Sequence, residues 1–306
     1  MRIAKRKGVP AVRLSVIGYL ERQRLPEGPQ LWHHAPMKER HRDIASALPA
    51  DLDALPRLRG FRLRGIEMTR LETFIDAAFA FAISMLVIAA QQIPDNIQAL
   101  LAAFKNVPTF VCSIAVLGIF WRGHWLWSRR YGLEDGASIL ISWVMIVTIL
   151  IFIYPLKAIF GAMWYFLSNG QVGQPFSLHT TESQARTLFA IYALGTIAIS
   201  AEILLLNLRA WLVREPLRLN TREKLITRGE LTGWSIPVSV GIVSLVFALT
   251  LPKEQIQWSG WVYFSMIILV PLYSALSQRE LRAERKKKVI SDPPSRKAPA
   301  RQAGEK

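Results

Sequence analysis

The chain has 306 residues, 51% of them hydrophobic and 10% aromatic, with a mean hydropathy of +0.24. Only 20% of residues are charged, below the about 25% of a soluble domain, and they cluster between long apolar stretches, which excludes an ordinary soluble globule and a disordered chain. The formal charge of +16 is dispersed between those stretches, so no nucleic-acid partner is expected, and the single Cys112 excludes a disulfide framework or a multi-Cys zinc site.

In chain order, residues 1–69 form a basic N-terminal extension without the apolar run of a signal peptide. The stretch from Ile44 to Leu58 mixes apolar, acidic and Pro residues and predicts a short helix between turns. His33, His34 and His41 lack Cys or acidic partners at ligand spacing, so they read as solvated surface and no metal or other cofactor is expected.

Six gaps between charged residues follow. They hold 18 residues (Asp76 to Asp95), 16 (Lys105 to Arg122), 21 (Asp135 to Lys157), 22 broken only by Glu202 (Arg186 to Arg209), 22 (Glu230 to Lys253) and 24 (Glu254 to Arg279). A spanning helix needs about 20 mostly apolar residues. The second gap is short, but Lys105 and Arg122 can snorkel toward the headgroups. The gaps predict an all-α membrane protein with six transmembrane helices across residues 70–278. Alternate flanking segments carry 34 and 4 Lys and Arg residues. That asymmetry predicts a multi-pass inner-membrane protein with both termini cytoplasmic.

The first span, from Arg70 to Ile88, reads RLETFIDAAFAFAISMLVI. Ala77, Ala80 or Phe81, Ser84, Ile88 and Gln91 fall on one helical stripe. Two readings fit that stripe: the wall of a pore, or an ordinary helix–helix contact between small residues. Asp76 sits where a helix N-terminus favours a carboxylate, and an acid at that depth also seeks a partner. Arg70 is six positions back and does not share its helix face. The second span runs the opposite way, so Arg70, Asp76, Trp121 and His124 finish at one depth. A proton-relay role for His124 is the alternative to a bracing one.

Glu202 lies within the fourth span, where an acid is costly and marks a candidate functional site. Pairing with Arg209, seven residues on, or with another helix competes there with an ion site. The LNTREKLITRGEL pattern between Arg209 and Glu230 predicts a short amphipathic helix on the membrane surface. The tail, residues 279–306, carries Arg285, Lys286, Lys287 and Lys288 before a Pro-rich stretch, and its composition predicts disorder. Basic clusters of this kind attract anionic headgroups, or express the positive-inside bias alone. No TVGYG-like run, GxxxxGK[ST] loop, HExxH or inverted pair of broken helices is present. A carbonyl filter of that kind, ATP-driven transport, zincin chemistry and secondary transport therefore lack support, and no enzymatic activity is expected.

The first span resembles the first helix of the transmembrane protein 175 family, the lysosomal and bacterial potassium channels. The matching positions are Arg70, Phe74, Ile75, Asp76, Phe79, Ala80, Ile83, Ser84 and Leu86. Trp121 and His124 in FWRGHWLW match that family's second helix, and Tyr154-Pro155 is similar to a Pro late in its third. The resemblance covers roughly residues 66–276 and departs at Ile75, where the family has Ser, and at Ser84, where it more often has Thr. It implies a pore lined by the first helix, with Ala77 and Ile88 on its wall, Phe81 at an apolar constriction and Ser84 supplying a hydroxyl layer. It also implies that Arg70, Phe74, Asp76, Trp121 and His124 brace the pore helix, and that the assembly is a homo-tetramer. With one six-helix unit per chain, a pore belongs on the symmetry axis of a homo-oligomer. The expected function is a passive potassium channel, with K+ the permeant ion. The rivals are a proton-conducting or proton-coupled protein using Asp76, His124 or Glu202, and a non-conducting scaffold whose basic termini bind lipids or partners.

Overall fold

The computed structural model describes residues 48, 51–88, 94–174 and 182–291. The chain divides into two units, Met1–Arg40 and His41–Lys306, and the described residues all lie in the second. His33, His34, His41 and Gln91 fall outside them, as do residues 44–47, 49 and 50 of the stretch from Ile44 to Leu58 expected to hold a short helix. The described part of that stretch, from Asp51 onward, is turn and strand instead.

Among the described residues, six helices are long and apolar enough to cross a membrane. Helix α1 (Arg70–Ile88) is followed by the short α2 (Ile97–Phe104). Then come α3 (Val107–Tyr131), α4 (Gly136–Leu167), α5 (Glu182–Leu212) and α6 (Thr221–Thr250). The sixth span covers Lys253–Glu280 and includes the one-turn α7 (Trp258–Trp261) and most of α8 (Ser265–Ser291). Successive spans alternate in direction, so the starts of α1, α4 and α6 gather at one end with the finish of α3 and α5.

The helix ends follow from local chemistry. Thr69 opens α1, its hydroxyl accepting from the Glu72 amide at 3.2 Å. Asn96 caps α2 by accepting from the Ala99 amide at 2.8 Å. Helix α3 starts with a Pro in its first turn and stops at Gly132, whose left-handed φ of 58° suits a residue without Cβ. Asn220 and Glu223 form a reciprocal capping box that starts α6. This box corrects the expected surface helix: the segment after Asn220 is the first part of the fifth spanning helix, unbroken to Thr250.

The spans are also longer than the uncharged gaps. Helix α3 runs 25 residues and carries Arg122, Arg129 and Arg130. The last helix continues to Ser291, past the boundary at 279 where disorder is expected, because its Lys- and Arg-rich extension consists of good helix formers. The end of the N-terminal extension is likewise structured. Strands β1 (Arg57–Leu58) and β2 (Phe61–Arg62) pair antiparallel, with Leu58 opposite Phe61. Arg59 and Gly60 make the two-residue turn with φ of 52° and 84°, the left-handed pair that a tight hairpin requires.

Two apolar clusters result. The larger lies among α1, α3, α4 and α5 and includes Ile75, Phe79, Leu86, Leu117, Ile149 and Phe152. Gly195 of α5 makes room for the Phe152 ring, since a Cβ there would meet it at 2.3 Å. The smaller cluster caps one end of the bundle, where Phe61 of the hairpin is buried against Trp127, Tyr131, Leu206 and Leu217. Burial is uneven: 44% of the most apolar stretch of α4 is covered by the chain, against 6% of the sixth span.

Candidate functional site

Helix α1 has two unlike faces. Ile75, Phe79, Ala82 and Leu86 are buried on α3 and α4. Ala77, Ala80, Phe81, Ser84 and Ile88 are exposed within one chain, Phe81 at 55% and Ile88 at 68%. The Ser84 hydroxyl donates to its own backbone at Ala80 O, 3.0 Å away. Its proton is thus committed and its oxygen lone pairs remain on the exposed face.

The residues expected to brace α1 fall into separate contacts. The Trp121 indole N–H donates to Asp76 Oδ1 at 2.8 Å, tying α1 to α3. The Phe74 ring packs on Trp143 of α4 at 5.0 Å between centroids. His124 is buried elsewhere, its Nε2 3.2 Å from the Ser142 hydroxyl and its ring 5.7 Å from that of Trp127. Arg70 is exposed and, among the described residues, has no hydrogen-bond or ion-pair partner within the chain. It borders a shallow recess with Met68, Thr69, Thr73, Phe74 and Ala77. The four positions placed at one depth by topology thus form one direct bond, Trp121 to Asp76, and His124 does not join it.

Glu202 is bonded from α4: the Thr148 hydroxyl lies 2.5 Å from its Oε1, and its Oε2 is buried without a hydrogen-bond partner among the described residues. Arg209 does not pair with it. Its Nε instead lies 2.7 Å from Asp135 Oδ2 at the start of α4. The helix end brings Asp135 nearer to Arg209 than Glu202, two turns back along α5.

The charged collar at the hairpin end was not anticipated. Glu223 is fully buried and receives the Arg62 amide and Nε on Oε1, both at 2.9 Å. Arg62 Nη2 at 2.9 Å and Arg64 Nη2 at 3.0 Å reach its Oε2. The same guanidiniums donate to the carbonyls of Arg218 and Leu217 in the α5–α6 turn. The hydrogen bond to Glu223 pushes Arg62 above the ordinary guanidinium value. Burial pulls Arg64 below it, with the Glu223 bond opposing. Two sequence signals pointed here: Arg62 and Arg64 at alternate positions of an extended segment, and the Asn220…Glu223 capping spacing. Among the described residues no cluster of three or more His, Cys, Asp or Glu could hold a metal.

Six apolar helices of alternating direction among the described residues define a multi-pass, mostly helical membrane protein. A family described as the endosomal/lysosomal potassium channel TMEM175 matches residues 70–155. A protein named "Potassium channel" from Marivirga tractuosa is 27% identical over 234 residues, covering 72% of this chain and 92% of that relative. The crystal structure of a variant of the potassium channel MtTMEM175, in complex with a Nanobody-MBP fusion protein, aligns with a TM-score of 0.62 at 27% identity, over 74% of this chain and all of that one. A TMEM175 homolog from Chamaesiphon minutus aligns with a TM-score of 0.45 at 18% identity, over 68% of this chain and 96% of its own. The family match over residues 70–155 covers the first two spans and most of the third, and over that stretch the chain is similar to the TMEM175 family.

Proposed function

We propose that the chain is one subunit of a passive potassium channel whose pore is lined by α1 of each copy, on the axis of a homo-tetramer. The observation that carries this reading is the exposed stripe Ala77, Phe81, Ser84 and Ile88, opposite a face already buried in the chain's own core. The matched relatives, one named a potassium channel and one solved as such, support the ion. Phe81 forms an apolar constriction that closes by dewetting, and Ser84 offers hydroxyl oxygen to a partly dehydrated cation. Trp121 and Asp76 hold the helix from the side away from the pore. The basic end, with the hairpin and both termini, faces the cytoplasm across the inner membrane, where its Lys and Arg residues meet anionic headgroups.

The test is current in a planar bilayer. A reversal potential that follows the potassium gradient is expected. Phe81→Ala should raise unit conductance several-fold by widening the neck, and unchanged current would remove Phe81 from the pore. A second reading, proton permeation, is favoured by the half-unpartnered Glu202 carboxyl inside a span. A reversal potential that follows pH instead, and is abolished in Glu202→Gln, would establish it. Silence under every gradient would leave a membrane scaffold.

A further inference from the structure

We propose that Glu72 and Arg129 are positioning residues for α1, the joint through which the collar at the hairpin end sets the angle of the permeation helix. The inference rests on the reading of α1 as pore wall. Glu72 sits in the first turn of α1 yet is only 2% exposed, on the face opposite the pore stripe. Arg129, in the last turn of α3, places its Nε 3.1 Å from Glu72 Oε1. Its Nη1 donates to the carbonyls of Gly65 at 3.1 Å and Ile66 at 2.9 Å. One guanidinium therefore holds both α1 and the peptide leading into it. The planar fork of Arg allows this, and the point charge of Lys does not.

The strap on the other side of that joint is short and fixed. Gly65 donates its amide to Arg129 O at 3.1 Å, and a Cβ at Gly65 would lie 2.5 Å from Ser128 O. The backbone can cross the end of α3 there only because residue 65 is Gly. One residue earlier the chain enters the grip of Glu223, through Arg64 and Arg62. From Glu223 to Glu72 the links outside the backbone are ion pairs or hydrogen bonds, the last of them the Arg129–Glu72 ion pair, and only residues 66–69 separate the strap from α1. A shift of the α5–α6 turn has no slack to absorb it before it reaches the permeation helix. Among the described residues nothing comparable holds α1 in its first turn on the exposed side, where Arg70 has no recorded hydrogen-bond or ion-pair partner.

The role separates from that of a pore-wall residue in single-channel records of the full chain in bilayers. Glu72→Ala, Arg129→Lys and Gly65→Ala should each leave reversal potential and unit conductance unchanged and shift open probability at least fivefold. Glu72→Asp, which keeps the carboxylate charge beside Arg129, should stay near the wild-type open probability, whereas Glu72→Gln, which loses the charge, should shift it as Glu72→Ala does. Glu72→Ala with Gly65→Ala should shift it no further than the larger single effect, since both cut one chain of contacts. Open probability equal to wild type in the folded variants, or additive shifts, would overturn the proposal. So would a change in unit conductance alone.

A second measurement keeps the proposal separate from the channel reading. Spin labels at Ile88→Cys and Leu249→Cys, in a Cys112→Ala background diluted into unlabelled chain, report the tilt of α1 within one subunit. Glu72→Ala should broaden or move that distance distribution even if the wild type carries no current, in which case only the channel reading fails. An unchanged distribution would sink the positioning role whatever the currents show.

Discussion

The two ends of the bundle are built by different chemistry. At the hairpin end, helices are joined by buried or half-buried ion pairs between residues far apart in sequence: Arg62 and Arg64 with Glu223, Arg129 with Glu72, Arg130 with Glu230 and Arg209 with Asp135. At the opposite end the described joints are mainly to backbone. Arg186 donates to the carbonyls of Ala248 and Leu251 that close α6, and the Gly173 amide donates to Lys105 O. The basic residues that bias orientation are therefore also the cross-links of their own end. Of their carboxylate partners, Glu72 and Glu223 sit in the first turns of α1 and α6 and Asp135 caps the start of α4, while Glu230 lies further inside α6.

That contrast can be broken first at Glu223. Glu223→Gln leaves Arg62 and Arg64 buried without their counter-charge and weakens the capping box. A loss of about 3–5 kcal/mol is expected, read as a lower melting temperature in detergent. A change under 1 kcal/mol would show that the collar holds without its buried acid. Phe61→Ala should cost about 3 kcal/mol, because the ring fills a cluster closed on all sides by Trp127, Tyr131 and Leu206. In the middle of the bundle, Gly195→Ala forces a methyl into the Phe152 ring and should cost about 1–3 kcal/mol.

The opposite end should respond less. Arg186→Ala removes two carbonyl hydrogen bonds at the close of α6 and should lower stability by about 1–2 kcal/mol. A loss as large as that of Glu223→Gln would erase the distinction between the ends. Smallest of all is the exposed pair of Lys224 Nζ with Glu215 Oε1 at 2.8 Å. Lys224 holds the Glu215 carboxyl below its usual range by hydrogen bond and charge. Its contribution is therefore present at neutral pH and lost as pH falls through that lowered value. Lys224→Ala should leave the melting temperature at neutral pH unchanged within error, since solvent screens an exposed pair.

What was legible in the sequence follows the same division. Span number and alternation could be read because the uncharged runs are long and the Lys and Arg bias is strong. Helix ends could not be read from charge gaps alone. Arg129, Arg130, Glu223 and Glu230 lie inside helices, where partners from other elements satisfy them. The hairpin was hidden because Arg57, Arg59, Arg62 and Arg64 resemble a solvated basic run until Glu223, some 160 positions away, is brought to them. The stripe on α1 was visible from helical periodicity, and its exposure in one chain follows from the apolar face behind it. The separation of His124 from Asp76 was not visible, since topology fixes depth along a helix but not rotation about its axis.

The last helix of the bundle keeps a thin hold on the rest. Tyr273 donates its hydroxyl to Gly229 O at 2.8 Å and lies over Gly233, while Ile267 and Ile268 on the same helix are exposed. Evolution can therefore exchange one greasy side chain for another along most of α8 without disturbing its neighbours. Among the described residues of α8, the strip that meets the two glycines of α6 is under steric constraint from within the chain. Drift in this segment should outpace that in α4, of whose most apolar stretch the chain covers 44% against 6% here.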